Sequence, residues 1–158
     1  MRTVSTAVSS STTFFKELEM MISARNQIDV HVEQVQVGPV NTLVSLKMEQ
    51  GTFIDAAITR NGSDELNLKA GERVIAFFKA SHVLIATGWA ISISAGNRLE
   101  GIVESVLNGV VNAEVTIRLS GGDRLIATVT YEAVKNLALK EGVEVAAIIQ
   151  ASDVMIAK

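Results

Sequence analysis

The sequence contains no cysteine and few histidine or aromatic residues. Without cysteine the chain can form no disulfide, thiolate metal site, iron–sulfur cluster or cysteine nucleophile. Two histidines, His31 and His82, are too few for a three-histidine metal site without carboxylate help. Aromatic residues make up 4% of the chain and the formal net charge is −3, so a nucleic-acid groove lacks both stacking side chains and positive charge. We therefore expect no direct nucleic-acid binding.

Long apolar runs are also missing. No window reaches the roughly 18 consecutive apolar residues of a transmembrane helix, so we expect no membrane span. The first residues, Met1–Ser11, are rich in Ser and Thr and lack the apolar segment of a secretory signal. The expected location is cytoplasmic.

Aliphatic and β-branched residues are abundant. Hydrophobic residues make up 48% of the chain, and Val, Ile and Thr together account for 45 of its 158 residues. This composition excludes a disordered polyelectrolyte and favours a strand-rich fold with an aliphatic core.

The chain repeats itself with an offset of 71 residues. Ile22–Asn26 recurs as Ile93–Asn97, and without a gap the alignment continues to Lys158 with 25 identities over 66 positions. We infer a tandem duplication and divide the chain into a leader, 1–21, which we expect to be flexible, and two domains, 22–89 and 90–158.

Each copy has the pattern of five strands and one short helix. Alternating apolar and polar residues, turns at Gly38-Pro39 and Gly51, and a helical stretch at 131–137 give the order β-β-β-α-β-β. This order predicts an all-β chain built from two tandem five-stranded OB-like barrels, each with one short helix between strands 3 and 4.

The chemistry of the sequence favours binding over catalysis. Neither phosphate-loop nor dinucleotide glycine motifs are present, and each histidine occurs in only one copy, so no repeated Ser-His-Asp arrangement exists. We therefore predict that the chain is not an enzyme.

Polar residues recur at three places in both copies. They lie before strand one, at the start of the helix (Thr59 and Thr130), and between strands four and five. Hydroxyls, amides, a cation and helix-start N–H groups suit an oxyanion. The structural alternative is that the two threonines only cap helices and the other segments only make turns.

These motifs resemble a known family. Ile-Ser-Ala-Arg-Asn-Gln at 22–27, Gly-Pro-Val-Asn at 38–41, Leu-Asn-Leu-Lys-Ala-Gly at 66–71 and Lys-Ala-Ser-His-Val-Leu-Ile at 79–85 are similar to the molybdate-binding Mop domain, also called the TOBE domain. Two tandem copies resemble a di-Mop protein.

The resemblance implies a set of ligand-binding residues. In Mop proteins the oxyanion sits between subunits, one chain contributing the Ser-Ala-Arg-Asn motif and a neighbouring chain or domain contributing the remainder. The positions that match in copy one are Ser23, Ala24, Arg25, Asn26, Thr59, Gly62, Ser63, Lys79, Ala80 and Ser81. Copy two has Gly96 and Gln150 where copy one has Arg25 and Lys79, so its site is expected to be weaker; its positions are Ser94, Ala95, Asn97, Thr130, Gln150 and Ser152.

The resemblance also implies a function. The first hypothesis is a cytoplasmic molybdate- or tungstate-binding protein for molybdenum storage or homeostasis, without an organic cofactor or a directly ligated metal cation. The alternative is a ligand-sensing module of molybdate-dependent transcriptional regulation. Both imply a homo-oligomer, a trimer if similar to molbindins or a dimer if similar to the regulator.

Overall fold

The computed structural model describes residues 21–88 and 92–158. In this part of the chain, ten strands carry almost all of the regular structure. The first repeat contains β1 (Asn26–Val37), β2 (Asn41–Met48), β3 (Phe53–Thr59), helix α1 (Arg60–Leu66), β4 (Arg73–Phe78), a 3₁₀ turn (Ala80–His82) and β5 (Leu84–Ala86). The second contains β6 (Asn97–Asn108), β7 (Asn112–Leu119), β8 (Arg124–Thr130), helix α2 (Tyr131–Asn136), β9 (Glu144–Ile149), a second 3₁₀ turn (Ala151–Asp153) and β10 (Met155–Ala157).

The strands alternate between core and surface. In β2, Val44, Leu46 and Met48 are buried while Leu43 and Lys47 are exposed. The same period of two runs through β7 and β8, because successive side chains of a strand point to opposite faces. The buried faces of both repeats join in one aliphatic core, in which Phe78 is the largest fully buried side chain.

Two antiparallel five-stranded sheets form, and each takes one strand from the other repeat. The sheet orders are β10-β4-β1-β2-β3 and β5-β9-β6-β7-β8. Met155 of β10 pairs with Phe77 of β4, and Leu84 of β5 pairs with Ile148 of β9. The predicted mostly-β fold with two five-stranded units and a short helix after strand 3 is confirmed, and the exchange of the fifth strand is an added finding.

The hydrophobic pattern of the sequence does not reveal the exchange of the fifth strands. The two last strands are nearly the same, Leu-Ile-Ala at 84–86 and Met-Ile-Ala at 155–157. Because β4 and β9 each offer an antiparallel edge to such a segment, hydrophobic pattern alone does not distinguish pairing within a repeat from pairing between repeats.

The hairpins between the first two strands of each repeat require glycine. A Cβ added to Gly38 would lie 2.6 Å from the carbonyl oxygen of Asn41, and one added to Gly109 would lie 2.7 Å from that of Asn112. This close approach accounts for the repeated Gly-x-Val-Asn turn.

The leader and the expected domain boundary lie almost wholly outside the described residues, which omit 1–20 and 89–91. In the part that the structure does describe, no helix is long and apolar enough to cross a bilayer.

Candidate functional site

Two loops of the first repeat meet at one end of the molecule. The segment Ser23–Arg25 leads into β1, and Lys79–Ser81 follows β4. Asn26 pairs with Phe78 in the antiparallel ladder, so Arg25 and Lys79 stand at adjacent strand ends. The two cations that the sequence analysis assigned to the oxyanion, one of them through a neighbouring chain or domain, therefore stand at neighbouring strand ends of the same repeat. Ser23 and Ser81 are exposed in the same two loops, while Ala24 and Ala80 are buried beneath them.

Asn26 anchors the first loop to the second repeat. Its side chain donates from Nδ2 to the carbonyl of Ile126 at 2.8 Å, and its Oδ1 accepts from the Ile126 N–H at 2.8 Å. Asn97 makes the same pair of bonds with Asp55, at 2.9 and 2.7 Å. Both asparagines are 4% exposed. Each therefore satisfies the backbone of a strand in the other repeat, which gives it a structural role; a contact to an oxyanion stays a prediction.

The side chain of Gln27 holds the loop before β1 through two hydrogen bonds. Its Nε2 donates to the carbonyl of Ala24 at 2.9 Å and to that of Ile22 at 3.1 Å. The backbone at 22–25 is thus held in a fixed curve, and Ser23 and Arg25 project from it.

The loops of each repeat lie beside the third strand of the other repeat. The first 3₁₀ turn packs against β8, and the second packs against β3. Arg25 reaches Glu114, which pairs with Thr128, two residues before Thr130. By register, Thr130 is the helix-start hydroxyl on the side of Arg25, and Thr59 is on the side of the second repeat's loops.

Both threonines cap their helices. The Thr59 hydroxyl accepts from the N–H of Gly62 at 3.0 Å, and the Thr130 hydroxyl accepts from the N–H of Ala133 at 3.1 Å. The predicted N-caps are therefore present. Since both hydroxyls act as acceptors toward the helix and both threonines are exposed, their hydrogens can still be donated to a ligand.

Gly62 and Ser63 lie in the first turn of α1. Gly62 is half-buried and supplies the N–H that Thr59 caps, while Ser63 is 5% exposed. Because Gly62 and Ser63 lie next to Thr59, they are close to the second repeat's loops of the same chain and not to the loop that contains Arg25.

Arg25 forms a two-pronged ion pair with Glu114. Its Nη2 lies 2.8 Å from Oε1 of Glu114, and its Nε lies 3.3 Å from Oε2. Both side chains are partly open to solvent, 55% and 35% exposed. The hydrogen bonds to Glu114, followed by its negative charge, raise the pKa of the Arg25 guanidinium, so that group stays charged.

Lys79 differs from Arg25 in having no such partner. It is exposed, and among the described residues it makes neither an ion pair nor a hydrogen bond through its ammonium group. Its full positive charge is available to a ligand beside Ser81.

The second repeat's loops form a neutral counterpart. Gly96 packs so closely that an added Cβ would lie 2.9 Å from the Cβ of Ala151, which leaves no room for the side chain found at Arg25. Gln150 contacts the Ser152 hydroxyl at 3.5 Å. Ser94 is exposed, Ala95 is half-buried, and no cation stands among these residues.

The two 3₁₀ turns approach each other at His82 and Asp153, whose Nδ1 and Oδ1 lie 3.7 Å apart. These residues align in the two repeats, so the approximate twofold axis passes between them. No group of three or more His, Asp or Glu side chains that could hold a metal ion occurs in 21–88 and 92–158.

Surface grooves of the described residues are formed by other side chains. One of about 500 Å³ is lined by Glu100, Arg118 and Glu144, and another of about 250 Å³ lies at the hairpin of Gly38 and Asn41. Neither contains the predicted oxyanion residues.

Sequence reasoning missed two residues of the site, Gln27 and Glu114. A signal for Glu114 exists in the repeat alignment: Arg25 aligns with Gly96 and Glu114 aligns with Leu43, so a cation and an anion are both absent from the corresponding positions. Because Arg25 and Glu114 come from different repeats, the alignment indicates their pairing only once the strand exchange is known.

Known proteins are similar to this chain in structure or in sequence. The cytoplasmic molybdate-binding protein ModG, in a crystal form with molybdate bound, superposes with a TM-score of 0.83 at 40% identity, over 87% of this chain and 99% of that one. The molybdenum-pterin-binding protein MopA of Rhodobacter capsulatus is 37% identical over 89% of this chain and 53% of its own length. The molybdenum transport protein ModE of Herbaspirillum seropedicae is 34% identical over 90% of this chain and 53% of its own length.

The chain thus spans about half the length of MopA and ModE. The family model described as the TOBE domain matches it twice, at residues 22–85 and 93–156. The two matches coincide with the two repeats and together cover most of the chain. This protein therefore belongs to the TOBE-domain family.

Proposed function

We propose that this chain binds molybdate or tungstate in the cytoplasm and serves molybdenum storage or homeostasis, as a binding protein rather than an enzyme. The observation that carries the proposal is the pairing of Arg25 and Lys79 at adjacent strand ends, in a fold that matches molybdate-bound ModG along almost all of that protein.

The donor chemistry supports a tetrahedral dianion. Molybdate has four acceptor oxygens and no proton to donate near neutral pH, so its site needs hydrogen-bond donors. Ser23, Ser81 and Thr130 supply hydroxyls near the two cations, and the loop backbones supply N–H groups. Charge-assisted bonds from Arg25 and Lys79 stabilise the anion even though the net charge of the chain is −3.

The arrangement of donors also supports a homo-oligomer, as a trimer or a dimer. Thr59, Gly62 and Ser63 lie apart from Arg25 within one chain, so their contact with the same anion requires a second chain. Exposed apolar residues are available to cover such an interface, and they concentrate at the hairpin ends: Val37, Val40, Leu107, Val110 and Val111.

The second repeat supports a weaker site. Ser94, Asn97, Gln150 and Ser152 retain hydroxyls and amides, but Gly96 excludes a cationic side chain. A neutral site of this kind binds a dianion less tightly.

A sensing role is the second candidate. It is favoured by the match to ModE along 90% of this chain, since the Yersinia pestis relative, 37% identical, is described as a transcriptional regulator. In that role the same anion site would govern a partner or a further domain.

Isothermal titration calorimetry tests the proposal. Molybdate and tungstate should bind with micromolar or better affinity, about −8 kcal/mol or stronger, and sulfate and phosphate should bind far more weakly. Light scattering on the same samples should give an oligomeric mass. No heat with molybdate, or equal affinity for sulfate, would contradict the ligand assignment, and a monomeric mass with and without molybdate would contradict the assembly.

A further inference from the structure

The Arg25–Glu114 ion pair places a carboxylate on the guanidinium that the proposed function assigns to the anion. The two carboxylate oxygens accept from Nη2 and Nε at 2.8 and 3.3 Å, which is the two-pronged geometry by which arginine also holds oxyanions. A carboxylate and a tetrahedral oxyanion present similar pairs of acceptor oxygens to this edge of the side chain.

The pair is not required by the fold. In the corresponding position of the other half, Gly96 replaces Arg25 and Leu43 replaces Glu114, and the strands around them have the same bounds and register. Both partners are therefore present in one half and both absent from the other, which links the acid to the cation rather than to strand pairing.

The Arg25–Glu114 ion pair is partly exposed to solvent, so the two side chains can separate. With side chains 55% and 35% exposed, it belongs to the class of surface ion pairs that contribute about 1 kcal/mol or less. Lys79, at the adjacent strand end, has no carboxylate on it within the described residues, so Glu114 acts on one of the two cations only.

We propose that Glu114 is a built-in competitor of the oxyanion, which occupies the Arg25 guanidinium and lowers the affinity of this site. This inference rests on the proposed function. An anion that takes the same edge of Arg25 displaces the carboxylate. One that uses the remaining N–H groups still lies beside a like charge, so either way Glu114 opposes binding.

The test compares two variants of the full chain by calorimetry with sodium molybdate. Glu114→Gln keeps a neutral acceptor for Arg25 and removes the negative charge. Glu104→Gln is the control: both carboxylate oxygens of Glu104 accept from Nε of Arg124, at 2.8 and 3.0 Å, and the two side chains are 33% and 61% exposed, close to the values for Glu114 and Arg25. Both variants change the net charge equally, so a general charge effect would appear in both.

We expect Glu114→Gln to tighten molybdate binding about five- to fifty-fold, from the lost ion pair and the relieved repulsion. Glu104→Gln should stay within about twofold of the wild type. When Glu114→Gln is instead compared with the parent in an Arg25→Leu background, the gain should be smaller, because only the relieved repulsion then remains.

Each other outcome counts against the inference. Wild-type binding with unchanged or weaker binding in Glu114→Gln would overturn it while leaving the proposed function standing, because Glu114 would then only position Arg25. Equal gains in both variants would assign the effect to net charge. Absence of binding in the wild type and in Glu114→Gln would overturn both proposals.

Discussion

At the scale of single residues, the two buried asparagines hold the halves together. Asn26 and Asn97 each place an amide against the N–H and carbonyl of one residue in the opposite repeat, Ile126 and Asp55. A strand backbone that is partly buried needs such partners, because an unpaired polar group in that environment is costly.

Asn26→Ala should lower the free energy of unfolding by about 2 to 4 kcal/mol, since it leaves one donor and one acceptor of Ile126 unpaired. Chemical denaturation without added anion measures this. Asn61→Ala, on the exposed side of α1, is the control and should change stability by less than about 0.5 kcal/mol. A comparable loss in both variants would show that the bonds of Asn26 carry no special weight.

Removing either cation, Arg25 or Lys79, should weaken the binding site of copy one and not that of copy two. Lys79→Gln introduces the residue that copy two has, and loss of one charge-assisted bond of about 1.5 to 3 kcal/mol weakens a site about 10- to 150-fold. Arg25→Gly should also remove the tightest class of molybdate sites, and because Glu114 offsets Arg25, its effect should not exceed that of Lys79→Gln.

Two further variants serve as comparisons for calorimetry, with circular dichroism as the folding control: Lys140→Gln, which removes the same charge from the connection between α2 and β9, and Ser94→Ala. Ser94→Ala should affect only a weaker class of sites. If Ser94→Ala abolished the tight sites while Arg25→Gly left them intact, the main site would belong to copy two.

Sequence alone predicts which residue types gather at the site, because the loops repeat and the cations stand in only one copy. It does not predict that Glu114 covers Arg25. That contact joins residues 89 positions apart, across repeats, and depends on the tertiary arrangement that brings the start of β1 close to β7 and β8.

At the scale of elements, the alternation of apolar and polar residues and the turn residues predict the third strands at 53–59 and 124–130, and β3 and β8 have these bounds. The same pattern predicts the fourth strands at 73–79 and 144–150, and β4 and β9 each end one residue earlier; α2 ends at Asn136 instead of the predicted 137. The pairing partners of β5 and β10 could not be predicted, because the sequence of each strand suits the edge of β4 as well as the edge of β9.

One end of the exchanged strand β10 is fixed by Lys158. Its ammonium group lies 2.9 Å from Oε2 of Glu72 and donates to the carbonyls of Leu66 and Asn67 at the end of α1. The hydrogen bond from Lys158 is the main cause that lowers the pKa of Glu72.

A carboxylate whose pKa is lowered in the folded state contributes stability above its unfolded pKa and loses that contribution as the pH falls through the folded value. Glu72→Gln should therefore lower stability at pH 7 by about 1 kcal/mol or less. The difference from the wild type should shrink below about pH 4. Denaturation at both pH values measures it, and a difference that grows in acid would contradict this account.

At the scale of the whole molecule, the strand exchange makes the two repeats one folding unit. Each sheet is completed by three residues of the other repeat, each asparagine anchor crosses between repeats, and the cores merge. The approximate twofold symmetry follows from the duplication, and the unequal charges at Arg25, Lys79 and Glu114 break it at the site.

A fragment of residues 22–88 should therefore not persist as a folded monomer. It lacks β10 on the edge of β4 and has no β9 to receive β5. Light scattering combined with circular dichroism should show either self-association or loss of strand structure. A folded monomer at micromolar concentration would show that the exchanged strands are dispensable.

The most direct measurement of the central claim is a crystal structure with molybdate, in which anomalous scattering locates molybdenum. The account predicts a peak at hydrogen-bonding reach of Arg25 and Lys79, beside β8, with Glu114 moved away from the guanidinium. Molybdenum found only beside Gly96 and Gln150, or on a face remote from both pairs of loops, would contradict it.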